Sequence, residues 1–166
     1  MTDSAPEPAR EPSALAPPRG LWFEDFAPGD RHATPARTVT EADVCAFAAL
    51  SGDQNPIHTD ATFARRTPFR QRMAHGLLVQ SIVSGLVHRT TLFEGTIVAI
   101  AEMSIRFEAP VFFGDTVRAE LEVLELDPAP AARRGWVRFA VRVWKQDGRT
   151  VNSGEWRTLM HRRRDA

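Results

Sequence analysis

An acid, an amide and a base lie close together in one short segment, as Asp53, Asn55 and His58. A carboxyl group and an imidazole around one water molecule can take a proton from the water and deliver a proton to a carbon atom. Asp and Asn beside Gly and Pro also occur in ordinary turns, because their side chains bond to nearby backbone. A turn does not require the histidine, so the combination predicts acid–base chemistry at Asp53 and His58.

A second polar cluster precedes an apolar segment that begins near Gly76. Backbone N–H groups at a helix N-terminus are unpaired and carry the positive end of the helix dipole. Those near Gly76 are therefore predicted to stabilise an oxygen atom that develops negative charge during a reaction. Phosphate binding is one interpretation of the arginines in this cluster, and a solvated surface loop is the commoner one. The candidates for substrate binding are Arg65, Arg66, Arg70, Arg72 and His75.

Motifs for metal binding and for nucleophilic catalysis are weak or missing. His58, Asp60 and His75 are of metal-ligating types, but no HExxH or cysteine-pair spacing accompanies them, so no metal is predicted. The sequence contains no GxSxG, GxGxxG or Walker motif. Cys45 is the only cysteine, so it forms no intramolecular disulfide, and a reducing, cytoplasmic location is expected.

The composition is that of one globular domain. The chain has 166 residues, of which 43% are hydrophobic and 25% charged, enough for a single core without disulfides. Its 21 basic and 21 acidic side chains cancel, so no overall field attracts nucleic acid or an anionic membrane. No apolar run suits a signal peptide or a membrane span. We predict a domain over residues 20–161, a disordered Pro-rich tail at 1–19 and a C-terminal tail at 162–166.

Helix signals flank residues 53–58, here called the acid–base segment, on both sides. Thr40 is a suitable N-cap for a first helix, and Gly52 suits the left-handed conformation at its end. Pro56 disfavours helical backbone at the preceding residue, so residues 53–58 are predicted to form a rigid, non-helical elbow. A short helix is predicted over residues 60–65.

A long apolar segment at residues 76–92 is predicted to be a buried helix, because apolar residues surround more than half of it. Period-two alternation then indicates strands with one apolar face each, and Asp147-Gly148 predicts a hairpin turn. This helix is the only candidate long enough to cover such a sheet. We therefore predict an α+β fold in which an antiparallel sheet wraps around a central buried helix. The strands are expected near residues 31–38, 97–107, 117–123, 136–144 and 150–161.

Open sheet edges also predict pairing with a second copy of the chain.

Apolar stripes identify the side chains expected in the core. In the first helix the stripe consists of Val44, Phe47, Ala48 and Leu50. In the strand at 97–107 it consists of Ile97, Ala99, Ala101, Met103, Ile105 and Phe107.

The acid–base segment resembles a family signature. Residues 47–58, FAALSGDQNPIH, followed by Ala64, are similar to the hydratase-2 motif of MaoC-like dehydratases, the (R)-specific enoyl-CoA hydratases. The similarity extends over about residues 21–160, with further matching segments that begin at Phe23, Thr38, Ala74 and Pro110.

This resemblance implies a hot-dog fold, a homodimer or higher homo-oligomer, and a CoA or acyl-carrier thioester as substrate. The implied reaction is the reversible syn addition of water to a trans-2-enoyl group, giving an (R)-3-hydroxyacyl product without a metal or redox cofactor. By position, His58 is the base toward water and Asp53 the acid toward the α-carbon. Asn55 orients the water or substrate, and the Gly76 N–H faces the thioester oxygen.

Two other functions stay open on the same fold, because a fold does not determine function. One is a non-catalytic acyl-thioester-binding partner subunit, and the intact Asp53 and His58 count against it. The other is a hot-dog thioesterase, which would hydrolyse the thioester instead of hydrating the alkene.

Overall fold

The computed structural model describes residues 19–128 and 133–163. Most of both predicted tails, residues 1–18 and 164–166, lies outside these described residues. The strands are β1 (Arg31–Ala33), β2 (Arg37–Thr38), β3 (Ile97–Phe107), β4 (Thr116–Pro128), β5 (Arg134–Lys145) and β6 (Thr150–His161). The helices are α1 (Glu41–Ser51), α2 (Pro56–Thr59), α3 (Ala61–Ala64) and α4 (Gly76–His88), with one 3-10 turn at Phe23–Asp25.

All six strands form one antiparallel sheet. The strand order is β1-β4-β5-β6-β3, and β2 also pairs with β4. The predicted turn at Asp147-Gly148 joins β5 to β6, and Gly148 has the positive φ, +81°, that a tight turn requires. Within the described chain β3 pairs only with β6, so one of its long edges is open.

Helix α4 forms the centre of the core. Its side chains Leu78, Val83 and Leu86 are buried in one cluster with the apolar faces of β4, β5 and β6. This arrangement confirms the predicted α+β hot-dog architecture, with an antiparallel sheet around a central helix. No helix in the described part of the chain is long and apolar enough to cross a membrane. The inward strand residues include Val117, Leu121, Val137, Phe139, Val141, Val143, Trp156 and Met160.

Three local predictions were wrong. Helix α4 ends at His88 and not at residue 92, because a series of turns follows in which Thr91 has a φ of +61°. The strand predicted at 31–38 is broken between β1 and β2, where Pro35 has no N–H to donate to β4. Leu50 is 86% exposed. It follows the buried Ala48 by two positions, and two positions along a helix lead to roughly the opposite face.

The prediction that the alternating apolar residues of β3 face the core was also wrong. Met103 and Phe107 are 42% and 55% exposed, and Ala99 is also exposed. The pairing of β3 with β6 shifts register twice near the start of the strand, and such bulges interrupt the period of two. The strand is also the last in the sheet, so within the described chain no further strand covers this edge.

The two ends of the described domain are joined by ion pairs. Arg162 Nε lies 2.7 Å from a carboxylate oxygen of Glu24, and Arg163 Nη2 lies 2.7 Å from Asp25. Hydrogen bonds between residues near the start of the domain and the turn after α4 hold Gly20 and Leu21 in place. The contacts of the domain therefore extend two residues beyond the predicted boundary at 161.

A buried ion pair fixes the turn that leads into β4. Lys145 Nζ lies 3.1 Å from Asp115 Oδ2, and Lys145 is the only lysine in the chain. Burial alone would raise the pKa of the Asp115 carboxyl. Hydrogen bonds from the Phe112 N–H, Gln146 and Lys145 outweigh this effect and hold the pKa below its ordinary value of 3.8.

Because of this ion pair, the free energy of unfolding of the domain depends on pH in the acid range. A depressed carboxyl pKa contributes stability above the unfolded-state pKa, and the contribution is lost as pH falls through the lower, folded-state pKa. We expect Asp115→Asn to lower the free energy of unfolding at pH 7 by about 3 kcal/mol, because it leaves Lys145 buried without its partner charge. The difference from the unsubstituted protein should shrink below about pH 3.8, as measured by urea unfolding at several pH values.

Asp147→Asn is the matched control, because it removes an exposed carboxylate and leaves a residue suited to the same turn. A constant difference between Asp115→Asn and the unsubstituted protein from pH 7 to pH 2 would contradict the assignment.

Candidate active site

The acid–base segment lies between the capped helix α1 and the start of helix α2. Thr40 caps α1 as predicted, and Gly52 ends that helix in the left-handed conformation, at a φ of +76°. The elbow predicted at 53–58 was only half right, because α2 begins at Pro56 and contains His58. Proline keeps Asn55 extended, but its fixed φ also suits the first position of a helix.

A main-chain carbonyl orients the imidazole of His58. Its Nδ1 lies 2.8 Å from the carbonyl oxygen of Met73, in the segment that leads into α4. A carbonyl oxygen can only accept a hydrogen bond, so Nδ1 carries the proton in the neutral ring. The other nitrogen, Nε2, is left with a lone pair that can accept a proton from water.

His75 connects the two halves of the site. It is 3% exposed, and its Nε2 donates a hydrogen bond to the main-chain carbonyl of Asp53, at 3.0 Å. Its ring packs against that of His58 with 3.8 Å between the centroids, and against Phe47 on the other side. His75 was predicted to bind substrate, and the contacts that the structure gives it position Asp53 and His58.

A cavity of about 630 Å³ brings the predicted groups together. Asp53, His58, His75 and Gly76 all line it, although they come from two separate segments of the chain. Most of the remaining wall is apolar and includes Phe47, Phe69, Leu77, Val79, Phe107 and Val111. An apolar cavity with a few convergent polar groups is typical of a small-molecule site.

The N-terminus of α4 opens into this cavity. Gly76 is the first residue of the helix, and its N–H has no acceptor among the residues that the structure describes. The ring of Phe107 lies so close that a Cβ on Gly76 would be 2.8 Å from its Cδ1. A larger residue at this position would have to displace the Phe107 ring, and glycine leaves a backbone donor available to an oxyanion.

The other predicted residues lie outside the lining of the cavity. Asn55 is exposed, and its Oδ1 accepts a hydrogen bond from the Ile57 N–H, so the side chain caps α2. Arg72 pairs with Glu41 and stacks on Phe113. Arg65, Arg66 and Arg70 are exposed, and Arg70 bonds to the main chain of Arg65. The roles of Asn55 in orienting water and of the arginines in binding phosphate stay predictions.

The same groups have the spacing of metal ligands. One ligating atom from each of Asp53, His58 and His75 lies within 4.8 Å of the other two. Each histidine also bonds to a carbonyl oxygen through one nitrogen, which is common for metal-bound and for acid–base histidines alike. The donor set therefore fits a divalent ion as well as a water molecule, and a metal-free reaction stays a prediction.

The cavity also includes residues from the sheet that were not predicted to belong to the site. Phe107 at the end of β3 and Asn152 near the start of β6 lie opposite each other across the sheet. They are about 50 and 95 positions from the acid–base segment, so only the strand register brings them to it. A polar Asn at an inward position of an otherwise apolar face is the one signal that was available.

The fold and this site agree with a family assignment. The model of the MaoC-like domain matches residues 25–135, which include every residue of the acid–base segment and α4. The chain belongs to the MaoC-like dehydratase family.

Named relatives are hydratases and dehydratases. An (R)-specific enoyl-CoA hydratase of Aeromonas caviae is 40% identical over 115 residues, 69% of this chain and 81% of that protein. A 3-hydroxybutyryl-CoA dehydratase of Methylorubrum extorquens is 38% identical over 110 residues, 66% of this chain and 68% of that protein. The structure of the unliganded R-hydratase PhaJ1 of Pseudomonas aeruginosa aligns with a TM-score of 0.72 at 35% identity, over 87% of this chain and 88% of that chain.

The contact between Gly76 and Phe107 can be tested by substitution. We expect Gly76→Ala to lower kcat/KM for enoyl-CoA hydration by about 10- to 100-fold, because the added methyl displaces the ring and shifts the helix N-terminus. Gly85→Ala is the matched control on the same helix, since nothing lies within 4 Å of its Cβ position. Equal activity of Gly76→Ala and Gly85→Ala would show that the N-terminus of α4 is not part of the site.

The metal-free prediction has a direct test. We expect dialysis against a strong chelator to leave the hydration rate unchanged, because the proposed proton transfers need only the side chains of Asp53 and His58. Metal content is measured on the same samples by mass spectrometry. Loss of activity together with loss of a stoichiometric ion, restored by adding that ion, would assign the three groups to a metal.

Proposed function

We propose that the protein catalyses the reversible syn addition of water to trans-2-enoyl thioesters, giving (R)-3-hydroxyacyl thioesters. The observation that carries this proposal is the convergence of Asp53, His58 and the N-terminus of α4 on one apolar cavity. The hydratase and dehydratase names of relatives at 38–40% identity support it.

The proposed reaction needs two proton transfers. His58 Nε2 accepts a proton from water while the water oxygen forms a bond to the β-carbon of the enoyl group. The electron pair of the double bond moves toward the thioester carbonyl, where the Gly76 N–H stabilises the developing negative charge. Asp53 delivers a proton to the α-carbon, and the proton taken up by His58 returns to Asp53 through solvent, so the cycle consumes one water molecule and no net proton.

The syn course follows from the placement of the two groups. Asp53 and His58 approach the substrate from the same segment, and one ligating atom of each lies within 4.8 Å of the other. Water and proton are therefore delivered to the same face of the double bond. The shared location also means that either group can act as base in one direction and acid in the other.

We propose a CoA or acyl-carrier thioester as the substrate and a homodimer as the assembly. The cavity is open on the side of Leu77 and Phe107, which are 60% and 55% exposed, so a large carrier can remain outside. Strand β3, whose outer edge is open, ends at Phe107 and carries the exposed Met103. A second copy on this edge would cover apolar area that one chain leaves in water.

A cytoplasmic location is part of the proposal. Cys45 is exposed and unpaired, and such a thiol persists in a reducing compartment.

Substitution of the acid–base pair tests the mechanism. We expect Asp53→Asn and His58→Gln each to lower kcat by about 100-fold or more, because each removes a proton donor or acceptor. The unfolding temperature should stay near that of the unsubstituted protein, since neither side chain is fully buried. The rate is measured as loss of the enoyl absorbance with crotonyl-CoA and longer or branched enoyl-CoAs.

The matched controls are Asp60→Asn and His88→Gln, which make the same chemical changes at exposed positions outside the cavity. Near-normal turnover in Asp53→Asn or His58→Gln would refute the mechanism. Release of free thiol in the same assay would identify a thioesterase, and inertness toward the whole panel would favour a non-catalytic binding subunit.

A further inference from the structure

Two buried polar atoms in the cavity wall have no hydrogen-bond partner among the described residues, Nδ1 of His75 beside the reacting groups and Nδ2 of Asn152. Asn152 is 2% exposed and lines the same cavity as His58 and Gly76. Its amide nitrogen, Nδ2, is buried and unpaired among the residues that the structure describes. An unpaired buried donor costs about 1–3 kcal/mol, so a ligand atom that accepts from it would recover that cost.

The strand register places Asn152 near the N-terminus of helix α4. It lies opposite Phe107 in the pairing of β6 with β3, and side chains of directly opposed residues share one face of the sheet. The ring of Phe107 in turn packs on Gly76, where the oxyanion donor is proposed. Asn152 is therefore on the cavity wall immediately beyond the reacting groups.

Burial shows which part of a substrate reaches this wall. Asp53 is exposed and His58 is half-buried, whereas Val79, Val111 and Asn152 are all 3% exposed or less. The reacting groups thus lie toward the open side of the cavity and Asn152 toward its closed side. A thioester whose carrier stays in solvent extends the far end of its acyl chain toward Asn152.

We propose that Asn152 is a specificity residue that selects acyl chains with a neutral oxygen, a hydroxyl or keto group, beyond the reacting double bond. The Asn152 amide donates a hydrogen bond to that oxygen. The inference rests on the proposed hydration function and assigns its substrate class. A site built to hydrogen-bond a substrate oxygen discriminates strongly against the analogue that lacks it, because its own polar group is then left unpaired.

The charge of the cavity favours a neutral oxygen over a carboxylate. Glu108 is among the residues that line the cavity, and no lining residue in the described chain is Arg or Lys. A carboxylate on the acyl chain would face an acid without a balancing cation. The dicarboxylic acyl chains are therefore excluded from the proposed class.

The competing explanation is a structural role within the core. Gln80 on α4 is also buried and has an Oε1 without a partner among the described residues, so unpaired polar atoms also occur in the core outside the cavity lining. In that case Asn152 would stabilise the fold and would have no influence on the choice of substrate. Selectivity and stability therefore have to be measured in the same variants.

The experiment compares thioesters of equal length. We measure kcat/KM for hex-2-enoyl-CoA and for the same thioester carrying a hydroxyl group at carbon 4, 5 or 6 or a keto group at carbon 4 or 5. The unsubstituted protein should prefer at least one oxygenated substrate by about tenfold or more. Asn152→Leu, which keeps the approximate volume and removes the amide, should reduce that preference to near one.

Thr158→Val is the matched control, because it removes a buried polar group of β6 that bonds to the Val137 carbonyl outside the cavity. It should lower the unfolding temperature and leave the preference unchanged. If Asn152→Leu does not fold, Asn152→Ala serves for the same comparison.

Equal selectivity in the unsubstituted protein and the Asn152 variant would overturn the inference, and a fall in stability alone would assign Asn152 to the core. Hydration without any preference for an oxygenated chain would overturn this inference and leave the proposed function standing. Failure to hydrate any thioester would overturn both.

Discussion

The reactive geometry depends on hydrogen bonds between two backbone segments that are distant in sequence. The N–H of Met73 bonds to the carbonyl of Ile57, the Met73 carbonyl accepts from His58, and His75 bonds to the carbonyl of Asp53. Both imidazoles are thus oriented by main-chain oxygen atoms. In a Ser-His-Asp triad a carboxylate performs that task. Here the carboxylate of Asp53 does not orient a histidine, so it remains available for proton transfer.

Much of the scaffold could be predicted because its signals are local. The cap at Thr40, the left-handed end at Gly52 and the alternation on β4 and β5 each depend on neighbours in sequence. The same is true of the acid–base segment, whose members lie within one turn and one short helix. Pro56 shows the limit of such signals, because proline excludes a helix before itself and favours one that starts with itself.

The rest of the site could not be predicted, because it depends on spatial distances between segments that are far apart in the sequence. His75 was recognised as a site residue, but its contacts with Asp53 and His58 depend on where α4 begins relative to α2. Asn152 was missed because strand register, not spacing, brings β6 to the cavity. The apolar alternation of β3 was misinterpreted for a related reason. An edge strand can be patterned for contacts that lie outside one chain.

If the proposed thioester substrates are correct, the burial of Lys145 has a chemical consequence for the protein. Thioesters are electrophiles that acylate free amines, and an enzyme that concentrates them near its surface is exposed to that damage. The single side-chain amine of this sequence is enclosed in an ion pair with Asp115, and the remaining cations of the domain are guanidinium groups, which are poor nucleophiles. The described surface therefore offers acyl donors no exposed lysine amine to modify, and Cys45 is left as the exposed nucleophile.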